Sequence, residues 1–439
     1  MQENTESRQP SPETGTGSAA PDERSGLRRI LARRGLAESV LLPVLAVLTA
    51  LIIGAIIIAV SDPDVLVAWG SFSSDPFGTL LSTWNLVVGA YVALFEGSFG
   101  SPAQIAHAIA AQSQTGDSKL LLAALRPLSE SLVTATPYIL AGLAVAFSFR
   151  GGLFNIGAEG QLFVGGMAAA YVGYALTGVP WYVHLPLALL AGTAAGAIWG
   201  AIPGLLKART GAHEVINTIM MNYVAFRLTD FMLNGGPMTR PDGLPISPEV
   251  LPSAYLPALF PLPLRLHAGF FVALALAAVV YWFLWKTTYG FEIRMVGANA
   301  RGARYAGVRI SRTIVLTMAI SGALAGLAGT SQILGVDHRL VRAFSTGYGF
   351  DSIALALLGN SHPVGVILAS LLFGFLRSGA ARMQSVADVP VEIIRIVQGM
   401  VIIFVAAPEI IRGLYRLRAR HREGAPSKET RVALGGGER

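Results

Sequence analysis

One stretch sets polar chemistry between apolar flanks: Gly151-Gly152-Leu153-Phe154-Asn155-Ile156-Gly157-Ala158-Glu159-Gly160-Gln161. The flanks run over about 132–149 and 162–178. A carboxylate (Glu159), two amides (Asn155, Gln161) and an aromatic ring (Phe154) could hydrogen-bond a polar solute, stack on a flat one, or relay a proton. Hydrocarbon satisfies no loose backbone, so at membrane depth this stretch must be buried in protein or line a cavity. Its glycines let a helix break and let a ligand or another backbone approach. A helix broken mid-membrane, with polar side chains at the break, points to a transporter's substrate path. A short water-facing loop, with Glu159 an ordinary solvated acid, is the plainer reading, since Gly-rich polar turns are common between helices. Residue types alone leave all three open.

A second polar set lies further along. Over about 214–234, Glu214, Asn217 and Met221 fall on one side at three- and four-residue spacing, and Thr218 and Asn222 repeat the pattern one residue along. A polar stripe on a spanning helix faces protein or a water-filled path rather than lipid. Asn217 and Asn222 are therefore either path-lining groups or interhelical hydrogen-bonding groups. His213 and Glu214 stand at the end of the span, where surface positions serve equally well.

The elements that must hold these groups are membrane spans. Hydrophobic residues make up 53% of the chain and charged residues 13%, against about 25% charged in a soluble domain. The expected fold is all-α and polytopic. No cysteine is present, which removes disulfides, thiolate catalysis and cysteine metal sites. The net charge of +7 comes from basic residues beside expected spans. It reflects the bias of Lys and Arg toward cytoplasmic loops, not nucleic-acid binding.

Residues 1–38 read as a disordered cytoplasmic tail, rich in Ser, Thr, Glu, Pro and Gly up to 27. Arg28, Arg29, Arg33 and Arg34 then precede an uncleaved first span over Val40–Val60. Residues 61–130 form an external segment in which acids outnumber bases; its apolar Leu86–Phe95 is half a span long and reads as a lid-like or interfacial helix, with a re-entrant helix as the alternative. Spans follow at about 132–149, 162–178, 184–206, 214–234, 268–285 and 313–334. Gly192, Gly196, Gly200 and Gly204 share one helix face, as do Gly322, Gly326 and Gly329 in part; both sets read as packing positions. Residues 287–312, with Arg294, Arg301, Arg304, Arg309 and Arg312, form a basic and hence cytoplasmic loop. A Pro-rich external loop covers 235–266. The membrane domain runs over 39–411, and 412–439 is a basic cytoplasmic tail.

Both termini read as internal, so the crossings must be even in number. Counting 343–360 as a crossing, with 364–379 and 391–408 after it, gives about ten spans. Two halves of five would be inverted relative to each other, with Phe154–Gln161 and Tyr348–Pro363 as counterpart breaks. On this model Arg377 and Arg382 lie toward the outside, which the bias of basic residues disfavours.

Four stretches carry a family resemblance. They are Gly152–Gln161; Glu214–Tyr223; Arg294–Asn299 with Ala303–Val308; and Gly347–Ala354. In this order they resemble the signatures of membrane permease subunits of ABC importers for nucleosides and simple sugars, a family related to the branched-chain amino-acid permeases. The resemblance covers roughly 130–410. Together with the polar residues read above, it makes Phe154, Asn155, Glu159, Gln161, Asn217 and Asn222 the candidate substrate path. It also implies a coupling helix in the 287–312 loop, with Gly297, Asn299, Ala303, Arg304 and Gly307 at the contact with an ATPase.

The chain has no Gly-x-x-x-x-Gly-Lys-[Ser/Thr] loop, so ATP is expected on a separate cytoplasmic ABC ATPase subunit. No cofactor or metal is implied. The resemblance further implies a second permease chain, identical or similar, an external solute-binding lipoprotein, and residence in the cell inner (plasma) membrane. A nucleoside is the expected cargo: Phe154 would stack on the base while the amides hydrogen-bond it. A pentose or other small polar solute is the alternative within the class. Outside it stand an ion-coupled secondary transporter using Glu159, and an intramembrane enzyme, for which nothing sets a nucleophile beside a base.

Overall fold

The computed structural model describes residue 41 and residues 44–415. The expected N-terminal tail, nearly all of the basic C-terminal tail, and with them the sidedness of the termini, lie outside the described residues. Among the described residues the regular structure is helical, with two isolated β-bridges. This is what a bilayer permits, because a helix satisfies its own backbone.

The chain begins with α1 (Val44–Ser61), then α2 (Pro63–Gly70), α3 (Pro76–Phe99), α4 (Pro102–Thr115) and α5 (Lys119–Arg150). After the Gly-rich break come α6 (Ala158–Ala175), α7 (Trp181–Thr210) and α8 (Glu214–Leu233). A loop with one 3₁₀ turn leads to α9 (Gly269–Lys286), α10 (Thr288–Ala298), α11 (Ala300–Tyr305) and α12 (Ile310–Gln332), which continues as a π turn to Asp337. The last helices are α13 (Tyr348–Leu358), α14 (Pro363–Ala387), α15 (Val391–Ala406) and α16 (Pro408–Leu414).

Seven of the described helices are long and apolar enough to cross a membrane: α1, α3, α5, α7, α9, α12 with its π turn, and α14. The chain is thus an all-α, multi-pass membrane protein, but the expected ten crossings are not reached by this measure. Three of the expected spans, now α6, α8 and α15, are too polar or too short to qualify. A fourth, 343–360, holds only the eleven-residue α13, about 16 Å long at 1.5 Å per residue, or half of the hydrocarbon thickness. Gly347, at φ +97°, starts it and the turn at Gly359 ends it.

The 61–130 segment also differs from expectation. Leu86–Phe95 is not a detached half-span but part of the 24-residue α3. Asp75 caps this helix through the Gly78 amide, Pro76 occupies its first turn, and it runs on through polar Thr83, Asn85 and Glu96, which interrupt the apolar pattern. Its C-terminal part closes on α14: Ser98 Oγ donates to the Phe375 carbonyl at 2.7 Å, and Arg382 pairs with Glu96 at 2.7 Å.

The seam that positions the break is made by α6, α7 and α12. Gly192, Gly196, Gly200 and Gly204 are all buried. A Cβ on Gly196 would strike the Gly322 and Gly326 backbone, and one on Gly329 would strike the Leu162 carbonyl. The packing role expected of the repeat is the one observed. Helices without side chains between them approach closely and gain dispersion contact along the backbone.

Candidate functional site

The break begins where α5 ends. Arg150 fixes that end by donating to the carbonyls of Ser361 (2.8 Å) and Asn360 (2.9 Å), in the turn between α13 and α14. Gly151 and Gly152 reverse the chain, and Gly152 takes φ +70°, a conformation that favours glycine. The chain returns through Leu153–Gly157 to α6.

Asn155 is fully buried in that return. Its Nδ2 donates to Gln161 Oε1 and to Ser321 Oγ of α12, each at 2.8 Å. Its Oδ1 accepts from the Gly157 amide (3.0 Å) and from Gln161 Nε2 (3.1 Å). Ser321 Oγ in turn donates to the Ala144 carbonyl at 2.6 Å. Asn155 and Gln161 therefore clamp the break to α5 and α12, and the hydrogen-bonding ends of both amides are engaged. Asn222 does the same from α8: its Oδ1 accepts from the Gly160 amide (2.8 Å) and its Nδ2 donates to the Ile156 carbonyl (2.9 Å). These are the loose backbone groups that the broken helix exposes and hydrocarbon would leave unpaired.

Glu159 is 2% exposed, so the solvated-loop reading is excluded. Its Oε1 accepts from Ser345 Oγ and its Oε2 from the Gly349 amide, both at 2.6 Å. The second bond joins stretches 190 residues apart. It seats the carboxylate at the N-terminus of α13, where unpaired amides and the helix dipole favour an anion. A Cβ on Gly349 would strike the Glu159 backbone, so glycine makes the joint possible. The stretches around Glu159 and Gly349 thus meet in direct contact.

The remaining two expected path residues behave differently. Phe154 is 55% exposed, its ring 5.0 Å from that of Phe149. Asn217 is half-buried, and its Nδ2 has no hydrogen-bond partner among the described residues. On α8 the buried stripe is Glu214, Thr218, Asn222, Ala225 and Thr229; Asn217 borders it. Glu214 pairs with Lys207 at 2.5 Å, and His213 is exposed.

Residues beside α13 complete the polar surroundings. Tyr138 of α5 donates to Asp351 Oδ2 at 2.7 Å and accepts from Arg377, whose other nitrogen donates to the Thr346 carbonyl at 3.0 Å. Arg377 lies 3.5 Å from Asp351 and over the rings of Tyr138 and Tyr348. This network was absent from the expected site, although Asp351 lies inside a recognised motif. It also accounts for Arg377, as the Glu96 pair does for Arg382: neither is left without a carboxylate.

The basic loop folds as an elbow of α10 and α11. Asn299 caps α11 by accepting from the Gly302 amide at 3.0 Å, so the short helix starts at Ala300. Ala303 is buried, Gly307 takes φ +82°, and Arg304 is exposed. Tyr305, 95% exposed, is the aromatic tip that sequence reasoning passed over. Gly297 faces the other way: a Cβ there would strike the Arg150 carbonyl and crowd the Gly152 amide. The elbow therefore packs backbone to backbone on the start of the break.

Comparison with known proteins gives this arrangement a family. The model of the branched-chain amino acid transport system / permease component family matches residues 128–406, from within α5 to the end of α15. The chain belongs to this family. The guanosine ABC transporter permease protein NupP of Bacillus subtilis is 49% identical over 287 residues, covering 64% of this chain and 82% of the relative. The glucose ABC transporter permease protein TsgB13 of Haloferax volcanii is 37% identical, covering 65% and 77%. The guanosine ABC transporter permease protein NupQ of Bacillus subtilis is 30% identical, covering 56% and 79%. No solved structure matches. The protein is a permease subunit of an ABC importer. The matched residues take in the permease's break, its elbow and α13, and leave α1–α4 outside.

Proposed function

We propose that this permease moves a nucleoside inward across the plasma membrane by alternating access, driven by a cytoplasmic ABC ATPase docked on the α10–α11 elbow. Its cargo arrives from an external solute-binding lipoprotein, and both termini are cytoplasmic. The functional unit has two permease chains; two different guanosine permease proteins in one organism, NupP and NupQ, support a heterodimer. The Asn299 cap, buried Ala303 and the Gly307 turn hold the elbow's shape, leaving Arg304 and Tyr305 to meet the ATPase.

The observation that carries this reading is the contact of Gly297 with Arg150 and Gly152. Displacing the elbow displaces the break, because neither backbone has a side chain to yield. From the break the displacement reaches the Glu159–Gly349 joint. Of the proposed path residues, Phe154 and Asn217 offer free surface or a free amide to cargo. Asn155, Glu159, Gln161 and Asn222 brace the wall behind them. The nucleoside assignment rests on the guanosine relatives; the glucose relative supports a sugar as the second reading.

The test is uptake of labelled guanosine into proteoliposomes holding both permease chains and the ATPase, with the binding protein outside. ATP-dependent accumulation, competed by unlabelled nucleoside and not by glucose, is expected. Competition by glucose alone favours the sugar. Uptake that persists without the ATPase and collapses with an uncoupler overturns the proposal in favour of ion coupling.

A further inference from the structure

A cavity of about 400 Å³ lies between α13, α14 and α15. That volume falls in the range of sites that enclose small organic molecules. Its walls are unusually polar for a helix surface in a membrane domain: Asp351, Arg377, Arg395 and Gln398 all line it, with Phe350 and Phe373. On α15, Arg395, Gln398 and Ile402 recur at helical spacing and all three line the cavity.

Much of this polarity is unspent. Asp351 Oδ2 is held by Tyr138 and Arg377, but Oδ1 has no hydrogen-bond partner among the described residues. Gln398 Nε2 is a buried donor without a partner among the described residues. Arg395 is exposed and pairs with no carboxylate among the described residues. Phe350 is 45% exposed and offers a free ring face. Lipid cannot cover such a wall, because charged and amide groups facing hydrocarbon carry a large desolvation cost.

We infer that this cavity is a solute-contacting part of the path in addition to Phe154 and Asn217, and that it takes an uncharged solute with a flat aromatic ring and hydroxyl donors. Asp351 Oδ1 accepts from the hydroxyls, Gln398 and Arg395 donate to ring heteroatoms or oxygens, and Phe350 stacks on the ring. This inference rests on the nucleoside-permease reading and assigns that permease's recognition surface. The cavity is also joined to the machinery that would open it. Asp351 sits in the first turn of α13, whose Gly349 amide is held by Glu159. Motion of the break relative to α13 therefore moves one wall of the cavity.

The test exploits the absence of cysteine from the chain. Gln398→Cys and, as a control on a bare apolar surface, Leu368→Cys (64% exposed) are each reconstituted with the partner subunits in liposomes. A membrane-impermeant methanethiosulfonate is then trapped on both faces by freeze–thaw. Modification of Gln398→Cys, with guanosine uptake cut at least about tenfold by the adduct in the path, is expected. Leu368→Cys remains unmodified and transports as the wild type does. Full modification of Gln398→Cys without loss of uptake overturns the inference, as does no modification. Modification only after the two permease chains are separated also overturns it, and assigns the wall to the interface between them. Failure of the unsubstituted complex to import guanosine is a different result: it overturns the nucleoside reading itself.

Discussion

The Gly-rich break and the wall between α13 and α15 hold similar polar side chains and use them in opposite ways. At the break, Asn155, Glu159, Gln161 and Asn222 are at most 2% exposed, and each oxygen and nitrogen of their side chains has a partner. On the wall, Asp351, Arg395 and Gln398 keep atoms with no partner among the described residues and line open space. Polarity inside a membrane domain thus has two meanings. Where hydrogen bonds are complete, it repairs a broken backbone. Where they are incomplete and face a cavity, it is available to cargo. The two regions meet at Glu159 and Gly349, so bracing and recognition share one joint.

The most severe way to break this comparison is to remove the joint. Gly349→Val places side-chain carbons on the Glu159 backbone. A destabilisation above about 3 kcal/mol is expected, seen as loss of a monodisperse species in detergent; a folded, transporting variant would show that the regions are not tightly joined. Asn155→Ala comes next. It leaves the Gln161 amide, Ser321 and the Gly157 amide short of partners, at a cost of about 1–3 kcal/mol. The thermal midpoint of the purified permease should fall, and an unchanged midpoint would mean that the clamp does not brace the break.

Phe350→Ala sharpens the other side. The half-exposed ring contributes little to folding, so stability should hold while half-saturating nucleoside rises by roughly tenfold, or about 1.4 kcal/mol of lost stacking. Equal effects on nucleoside and sugar uptake would remove the ring from base recognition. The smallest change is expected for Asn217→Leu. Its Nδ2 makes no hydrogen bond among the described residues, so the thermal midpoint should shift by no more than about 0.5 kcal/mol in equivalent stability. A large loss would place Asn217 with the braces.

Much of the architecture was readable because its signals are local. The four-residue glycine repeat of α7 marks a packing face whatever it packs against. The basic 287–312 loop and the motif at 152–161 were equally visible. The extent of α3 was not, because Thr83, Asn85 and Glu96 break its apolar pattern, whereas its packing on α14 depends on residues nearly 300 positions away. The half-length of α13 was hidden too: an apolar run shows neither a glycine at φ +97° before it nor the partner its N-terminus meets.

The sequence by itself determined an all-α membrane protein with a permease's order of motifs, a Gly-rich polar stretch between apolar flanks and a basic loop, because composition, glycine spacing and motif order are properties of the chain alone. Only the tertiary structure decided which polar groups are spent. Whether Glu159 is free or filled depends on Ser345 and Gly349, and whether Asn155 is free depends on Ser321. A hydrogen bond is satisfied by whatever lies within 3 Å, and the chain brings those partners together only when its helices pack.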